Sequence, residues 1–274
     1  MNVPLLYHPY MVIRRKVRKF VRFIKNIIDI DALPSKVGHP LALSIEDAIS
    51  DGAITQKQGI ETKKSVWEMF RPRCCDKTFV QSMNRWSWLV VLFLAFILRF
   101  NRSHQHPVTH IDSTAIAVCR NKNAKHHKTM AGIAAWGKTS QGSFFGLKLH
   151  VISDLLGRLQ SLMFTAGNVS DKDKNVVLTL AKGIRGLLIG DAGYVSQKLA
   201  DAFNRVDRLL MVKPYKNMKK IATALQNALY GTRMLVEKHF FILKRFYGLE
   251  TSLPRSVGGY FANYFYALFA YVSA

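Results

Sequence analysis

Three carboxylates stand out by their surroundings. Asp112 falls within His-Ile-Asp-Ser-Thr, and Asp191 follows a short apolar run in Ile-Gly-Asp-Ala-Gly-Tyr. Both settings read as strand, with Asp191 at the carboxyl end, where open α/β sheets collect their sites. An ionised Asp in such a place is costly unless something pairs with it. A cap or turn role would also account for either Asp singly. Glu237 has a different context, because Tyr230, Arg233, Glu237 and Lys244 are separated by three, four and seven residues. At about 100° per residue these four fall on one face of a single helix. An exposed Arg–Glu pair on a solvated face is the simpler alternative, and contributes little.

Three such groups suit hard cations. Mg²⁺ takes oxygen ligands, typically one or two carboxylates per ion together with phosphate and water. Two ions about 3.5–4 Å apart stabilise the attacking and leaving oxygens of an in-line phosphoryl displacement. Strands would supply the rigid ligands and a helix the third, with Arg233 and Lys244 steering a phosphate.

The elements that must position these groups are legible as patterns. Residues 108–118 contain β-branched side chains and read as a strand. Residues 143–153 alternate around Leu147, Leu149 and Val151, with Lys148 and His150 on the other face. After a turn at Gly157, residues 158–165 make a third strand, so that three neighbouring antiparallel strands are expected. A helix is predicted over 171–182, capped by Ser170. Residues 186–189 form a continuously apolar strand, the pattern of burial on both faces. A helix over 197–206, a fifth strand over 209–212 and further helices complete a mixed α/β layout with one central sheet.

Before Pro107 the character is helical and basic. Residues 12–28 place Ile13, Val17, Phe20, Val21, Ile24 and Ile28 at helical spacing, and Arg14, Arg15, Lys16, Arg18, Lys19, Arg22 and Lys25 crowd the remaining surface. That face suits a DNA backbone, a solvated surface or a membrane surface. Two domains follow: a basic helical region over 1–104 and a catalytic domain over 105–274.

Charge narrows the partner. Lys and Arg number 40 against 17 Asp and Glu, a formal charge of +23. Self-repulsion on that scale is offset by a polyanion, and neutralised phosphates release counterions, so nucleic acid is the expected partner. With hydrophobic residues at 49%, the chain can bury a core and is not expected to be disordered. The three cysteines include an adjacent pair, Cys74 and Cys75, which argues against a disulfide framework and for a cytoplasmic setting. No signal peptide is evident. The apolar stretches 86–98 and 259–274 fall short of the roughly 20 residues of a membrane span and read as core helices, so no membrane partner is expected. His104, His106 and His110 with Cys119 fit no standard zinc spacing.

Five segments, taken in order, carry a resemblance. Asp112-Ser113-Thr114, Gly146-Leu147-Lys148-Leu149-His150, Thr165-Ala166-Gly167-Asn168 ending in Asp171, Asp191-Ala192-Gly193-Tyr194, and the Tyr230, Arg233, Glu237, Lys244 set together resemble the catalytic domain of bacterial insertion-sequence transposases with an Asp-Asp-Glu triad and a Tyr-Arg-Glu-Lys signature. The resemblance covers roughly residues 105–256. It implies a ribonuclease H-like fold with a five-stranded mixed sheet, two Mg²⁺ or Mn²⁺ ions held by Asp112, Asp191 and Glu237, and water followed by a 3′-hydroxyl as nucleophiles. It implies terminal inverted repeats and target DNA as partners, and a homodimer when two ends are synapsed. DNA contacts are expected from Tyr230, Arg233, Lys244, Lys148, His150, Lys213 and Lys216, and from Arg14, Arg15 and Arg18. A ribonuclease H-fold nuclease or resolvase, or a non-catalytic DNA binder descended from a transposase, would share much of this pattern.

Overall fold

The structure, a computed structural model, describes residues 7–25, 49–50, 53, 76–140, 142–214, 223–250 and 254–273. The chain divides into two compact units, Met1–Phe96 with Leu243–Ala274, and Ile97–Ile242.

In the first unit, helix α1 (Tyr7–Lys25) realises the predicted amphipathic pattern. Ile13, Val17, Phe20, Val21 and Ile24 are buried, while Arg15, Arg18, Lys19 and Arg22 are exposed and Arg14 is half-buried. Phe20 stacks on Phe93 at 4.2 Å between ring centres, and Phe93 lies 5.1 Å from Phe269. Phe93 belongs to α2 (Asp76–Ser103) and Phe269 to α7 (Val257–Ser273), so aromatic packing joins three helices. Lys16 Nζ donates to the Ser273 carbonyl at 2.8 Å. The apolar stretch at 86–98 proves to be the middle of a 28-residue helix. Its segment Thr78–Ser103 is long and apolar enough to cross a membrane by length and composition. The helix buries Trp86, Leu89, Val90, Phe93 and Leu94 and exposes Val80, Leu92 and Phe96.

The second unit is built on a six-stranded mixed sheet. Its strands are β1 (Val108–Ala117), β2 (Ala135–Thr139), β3 (Gly142–Asp154), β4 (Leu159–Ala166), β5 (Gly186–Gly190) and β6 (Arg208–Val212). The order is β2-β3-β1-β5-β6, and β4 also pairs with β3. The predicted meander is present, with β1–β3 and β3–β4 antiparallel, whereas β1–β5 and β5–β6 are parallel. Strand β2 is the addition to the five expected, and it pairs antiparallel with β3. The mixed sheet and its flanking helices form a ribonuclease H-like α/β fold, and a helical region precedes them in the chain.

One face of this sheet carries the core. Ile111, Ile152, Leu188 and Leu210 pack with Val177 and Leu180 of α3 (Lys174–Leu180) and with Leu199 and Phe203 of α4 (Gln197–Phe203). Helix α3 starts later than its pattern suggested. Asp173 rather than Ser170 caps it, accepting from the amides of Asn175 and Val176, because its short carboxylate reaches both unpaired N–H groups. Gly157 makes the β3–β4 turn with φ +79, where a side chain would be strained. Asp154 locks that turn by accepting from the Arg158 amide at 2.9 Å.

Candidate active site

Register brings the first two carboxylates together. In the parallel β1–β5 ladder Val108 pairs with Leu187, Thr109 with Leu188 and His110 with Ile189. Two residues further along each chain stand Asp112 and Asp191. Each commits one oxygen to backbone. Asp112 Oδ1 accepts from the Ser113 amide at 2.8 Å, and Asp191 Oδ1 accepts from the Gly193 amide at 2.7 Å. Asp191 thereby caps the short 3₁₀ turn Ala192–Tyr194. The turn role and the site position coexist, since each Asp has a second oxygen to spare.

That second oxygen meets Arg233. Its Nη1 lies 3.7 Å from Asp112 Oδ2 and 3.3 Å from Asp191 Oδ2, and its Nη2 donates to Glu237 Oε1 at 2.5 Å. One guanidinium therefore touches three carboxylates drawn from β1, the turn that follows β5, and α6. Burial pushes Asp112 up to about 7, and the negative charges of Asp191 and Glu237 add to that, against the Ser113 amide and Arg233, which favour ionisation. Among the described residues, no three His, Cys, Asp or Glu side chains gather closely enough to hold one ion together.

The predicted single helix from Tyr230 to Lys244 is in fact two. Helix α5 (Ala224–Gly231) ends before Arg233, and α6 (Met234–Phe246) begins after it. The break falls at Gly231-Thr232, where the Thr232 hydroxyl donates to the Leu229 carbonyl at 2.6 Å, a local bond that competes with helix continuation. Backbone bonds nevertheless run across the turn, from the Arg233 amide to Tyr230 and from the Val236 amide to Arg233. The offset between Arg233 and Glu237 survives, and so does their contact.

The turn is fastened to the strand beneath it by His110. This side chain is fully buried, two residues before Asp112, and its Nε2 lies 2.7 Å from Thr232 Oγ1. Burial, with His239 and Arg233 nearby, lowers its pKa to about 4, so it is neutral above that pH. The sequence offered His110 only as an implausible zinc ligand. Its place one alternation from Asp112 was the available signal.

On the opposite face of β1, Ser113 Oγ donates to Asp171 Oδ1 at 2.7 Å. Lys148 Nζ approaches the same oxygen at 3.1 Å and the Val169 carbonyl at 2.9 Å. Tyr194 is buried among these groups, and burial raises its phenol well above the ordinary value. Lys148 is nearly buried, and an open groove of about 650 Å³ beside it is lined also by Trp136, Lys138, Asn168 and Ser170.

The other expected contact residues are dispersed. His150 is fully buried with Nε2 2.8 Å from Thr165 Oγ1, so it has no surface to offer DNA, contrary to expectation. Tyr230 donates its hydroxyl to the Val212 carbonyl at the end of β6, at 2.9 Å. Lys213 is exposed, and its amide donates to the Gly190 carbonyl just before Asp191. Lys244 belongs to the other compact unit, where its Nζ pairs with Glu250 at 2.8 Å. Lys216 lies outside the described residues.

On one mixed sheet, Asp112 in the middle of β1, Asp191 just beyond β5 and Glu237 on α6 thus stand around one arginine. Residues 102–257 match the Transposase DDE domain family, more than half of the chain, and the chain belongs to that family. No match is found among curated proteins. Among solved structures the chain is similar to a piggyBac transposase synaptic complex with hairpin DNA, at 12% identity and a TM-score of 0.37, covering 82% of this chain and 54% of that one. The chain thus spans about half the length of that transposase.

Proposed function

We propose that this protein is a DNA transposase of the insertion-sequence type. It acts in the cytoplasm, cutting DNA at terminal inverted repeats and joining the freed ends to target DNA, with a homodimer holding two ends together. Asp112, Asp191 and Glu237 are its metal ligands. The observation that carries this reading is the convergence of these three carboxylates, from three separate elements, on the single guanidinium of Arg233.

The residues fit two divalent cations. Each ion needs only one or two carboxylates beside phosphate and water, so a threefold cluster around one ion is not required. The donors are hard oxygens, and Asp112 gains a further reason to ionise when a cation replaces its proton. Mg²⁺ or Mn²⁺, when bound, would stabilise charge on the attacking and leaving oxygens of a phosphodiester.

The chain's own residues do the rest. The Ser113 and Gly193 amides fix the two aspartates, so neither must reorganise when cations arrive. The His110–Thr232 contact holds the turn carrying Arg233 against β1, which keeps Glu237 in range. Lys213, exposed at the same end of the sheet as Asp191, would contact the backbone of a DNA strand entering the site. Arg15 and Arg18, exposed on α1, and Arg14 beside them offer a second basic surface for the DNA backbone.

The test is cleavage of a labelled duplex containing the sequence that flanks the gene, with Mn²⁺. The wild type is expected to nick that duplex, and Asp191→Asn to bind it without nicking. Cleavage that persists in folded Asp191→Asn refutes the site assignment. Wild-type protein that binds but never cleaves leaves a non-catalytic DNA binder.

A further inference from the structure

We infer that Arg233 is a built-in counterion that closes the carboxylate site to metal until a DNA phosphate draws it away, so that metal and DNA load together. This rests on the assignment of Asp112, Asp191 and Glu237 as metal ligands. It goes beyond that assignment by giving the site two exclusive states and an order of filling.

Arg233 touches the spare oxygen of each aspartate and an oxygen of Glu237 at 2.5–3.7 Å. Those are the same atoms a cation would use, because the other oxygen of each aspartate is engaged by a backbone amide. A guanidinium and a divalent ion cannot both lie against these atoms, since their like charges and their volumes conflict. Loading metal therefore requires Arg233 to leave. Its side chain is 26% exposed, and it belongs to a turn between two helices rather than to a helix interior, so a route outward exists.

What receives the guanidinium must be an anion of matching shape. A phosphodiester offers two oxygens that a guanidinium can grip in parallel, and on the proposed function DNA is what brings one here. Binding then becomes mutual. DNA that captures Arg233 raises the affinity for metal, and by thermodynamic reciprocity metal raises the affinity for DNA by the same factor. Without DNA, the carboxylates stay occupied and partly neutralised by a ligand that cannot diffuse away, and the protein is spared a loaded nuclease site away from its substrate.

The experiment measures Mn²⁺ binding directly, by titration calorimetry and by the electron-spin signal of free Mn²⁺, on the full chain with and without a short duplex. Removing Arg233 in Arg233→Gln is expected to tighten Mn²⁺ binding in the absence of DNA by about ten- to a hundredfold, the scale of a net charge-assisted hydrogen bond or two. Lys238→Gln, which removes the same charge from an exposed position beside Glu237, is the control for general electrostatics and is expected to change affinity far less. Duplex DNA is expected to tighten Mn²⁺ binding to the wild type and to do so much less in Arg233→Gln. Equal affinities in Arg233→Gln and Lys238→Gln overturn the inference while leaving the metal site intact. If Arg233→Gln does not fold, a wild-type Mn²⁺ affinity unmoved by DNA overturns it alone. Absence of Mn²⁺ binding under every condition, together with cleavage that survives Asp191→Asn, instead overturns the metal-site assignment on which it stands.

Discussion

Replacing Asp112 by Asn in metal-free protein isolates the energetic cost of holding that carboxyl where it is. The ordinary value for the group is 3.8, and in the folded chain burial pushes it to about 7. Below the unfolded value both states are protonated and the group contributes nothing to the pH dependence. Between the two values the folded state keeps the proton while the unfolded chain has released it, so stability falls as pH rises. Above about 7 both are ionised and the loss is complete. A difference of about 3 units at about 1.36 kcal/mol per unit gives about 4 kcal/mol. The side chain is only 17% exposed, so solvent screening takes little from this. Three buried histidines, His110, His150 and His239, are lowered to about 4 and contribute with the opposite sign, since their neutral folded forms gain stability as pH rises toward the ordinary 6.5. These terms are shared by both proteins and cancel in the difference. Urea unfolding followed by circular dichroism in EDTA, at pH steps from 4 to 8, is therefore compared between Asp112→Asn and the wild type. The variant's relative stability is expected to climb by about 4 kcal/mol between pH 4 and 7 and then level off. A difference that stays flat across that range would show that the Asp112 carboxyl ionises freely and that its burial costs nothing.

Two further perturbations test how the site is held. Thr232→Val keeps the shape but removes the hydroxyl 2.7 Å from His110 Nε2, leaving a buried ring nitrogen without that partner. It is expected to cost about 1–3 kcal/mol in urea unfolding and to lower kcat with little change in KM, whereas an unchanged kcat would deny the turn a positioning role. Lys148→Met removes the cation from the Lys148–Asp171 pair, whose side chains are 11% and 33% exposed, and strands Asp171 beside Ser113. A loss of about 1–3 kcal/mol is expected, largely recovered in the double variant with Asp171→Asn, and an undiminished loss in the double variant would show that the pair itself contributes nothing.

Much of this architecture was legible in the chain because each element carried its own period. The alternation around Leu147, Leu149 and Val151 marks β3, and the apolar run before Asp191 marks β5, and both stand where expected. Strand β2 was missed because Ala-Trp-Gly-Lys-Thr has a glycine at its centre and too few residues to establish alternation. The glycine is required there for a reason no periodicity shows. A Cβ on Gly137 would collide with the Gly167 carbonyl, a contact between segments thirty residues apart. Likewise His150 was expected to face DNA and is buried instead. Which face of β3 is covered depends on β4 and on the elements packed over it, and alternation alone gives two faces without saying which is wet.

The candidate site shows the same division between local and global information. The three-four-seven spacing of Tyr230, Arg233, Glu237 and Lys244 predicted that Arg233 and Glu237 would meet. They do so even though the helix breaks between Gly231 and Met234, because the turn preserves helical hydrogen bonding. The same spacing set Lys244 on that face to steer a phosphate, whereas its Nζ pairs with Glu250. Nor could it say where the guanidinium points. That follows from the β1–β5 register, which sets Asp112 beside Asp191, and from His110, which ties the turn to β1. Ionised together, these three carboxyls would repel, and two features relieve that: Asp112 holds its proton up to about 7, and a cation stands among the three. The chain supplies that cation itself, from a residue close to its third carboxylate. A resident positive charge in the same turn, beside a carboxyl that keeps its proton, thus lets an acidic site fold before any ion or nucleic acid arrives.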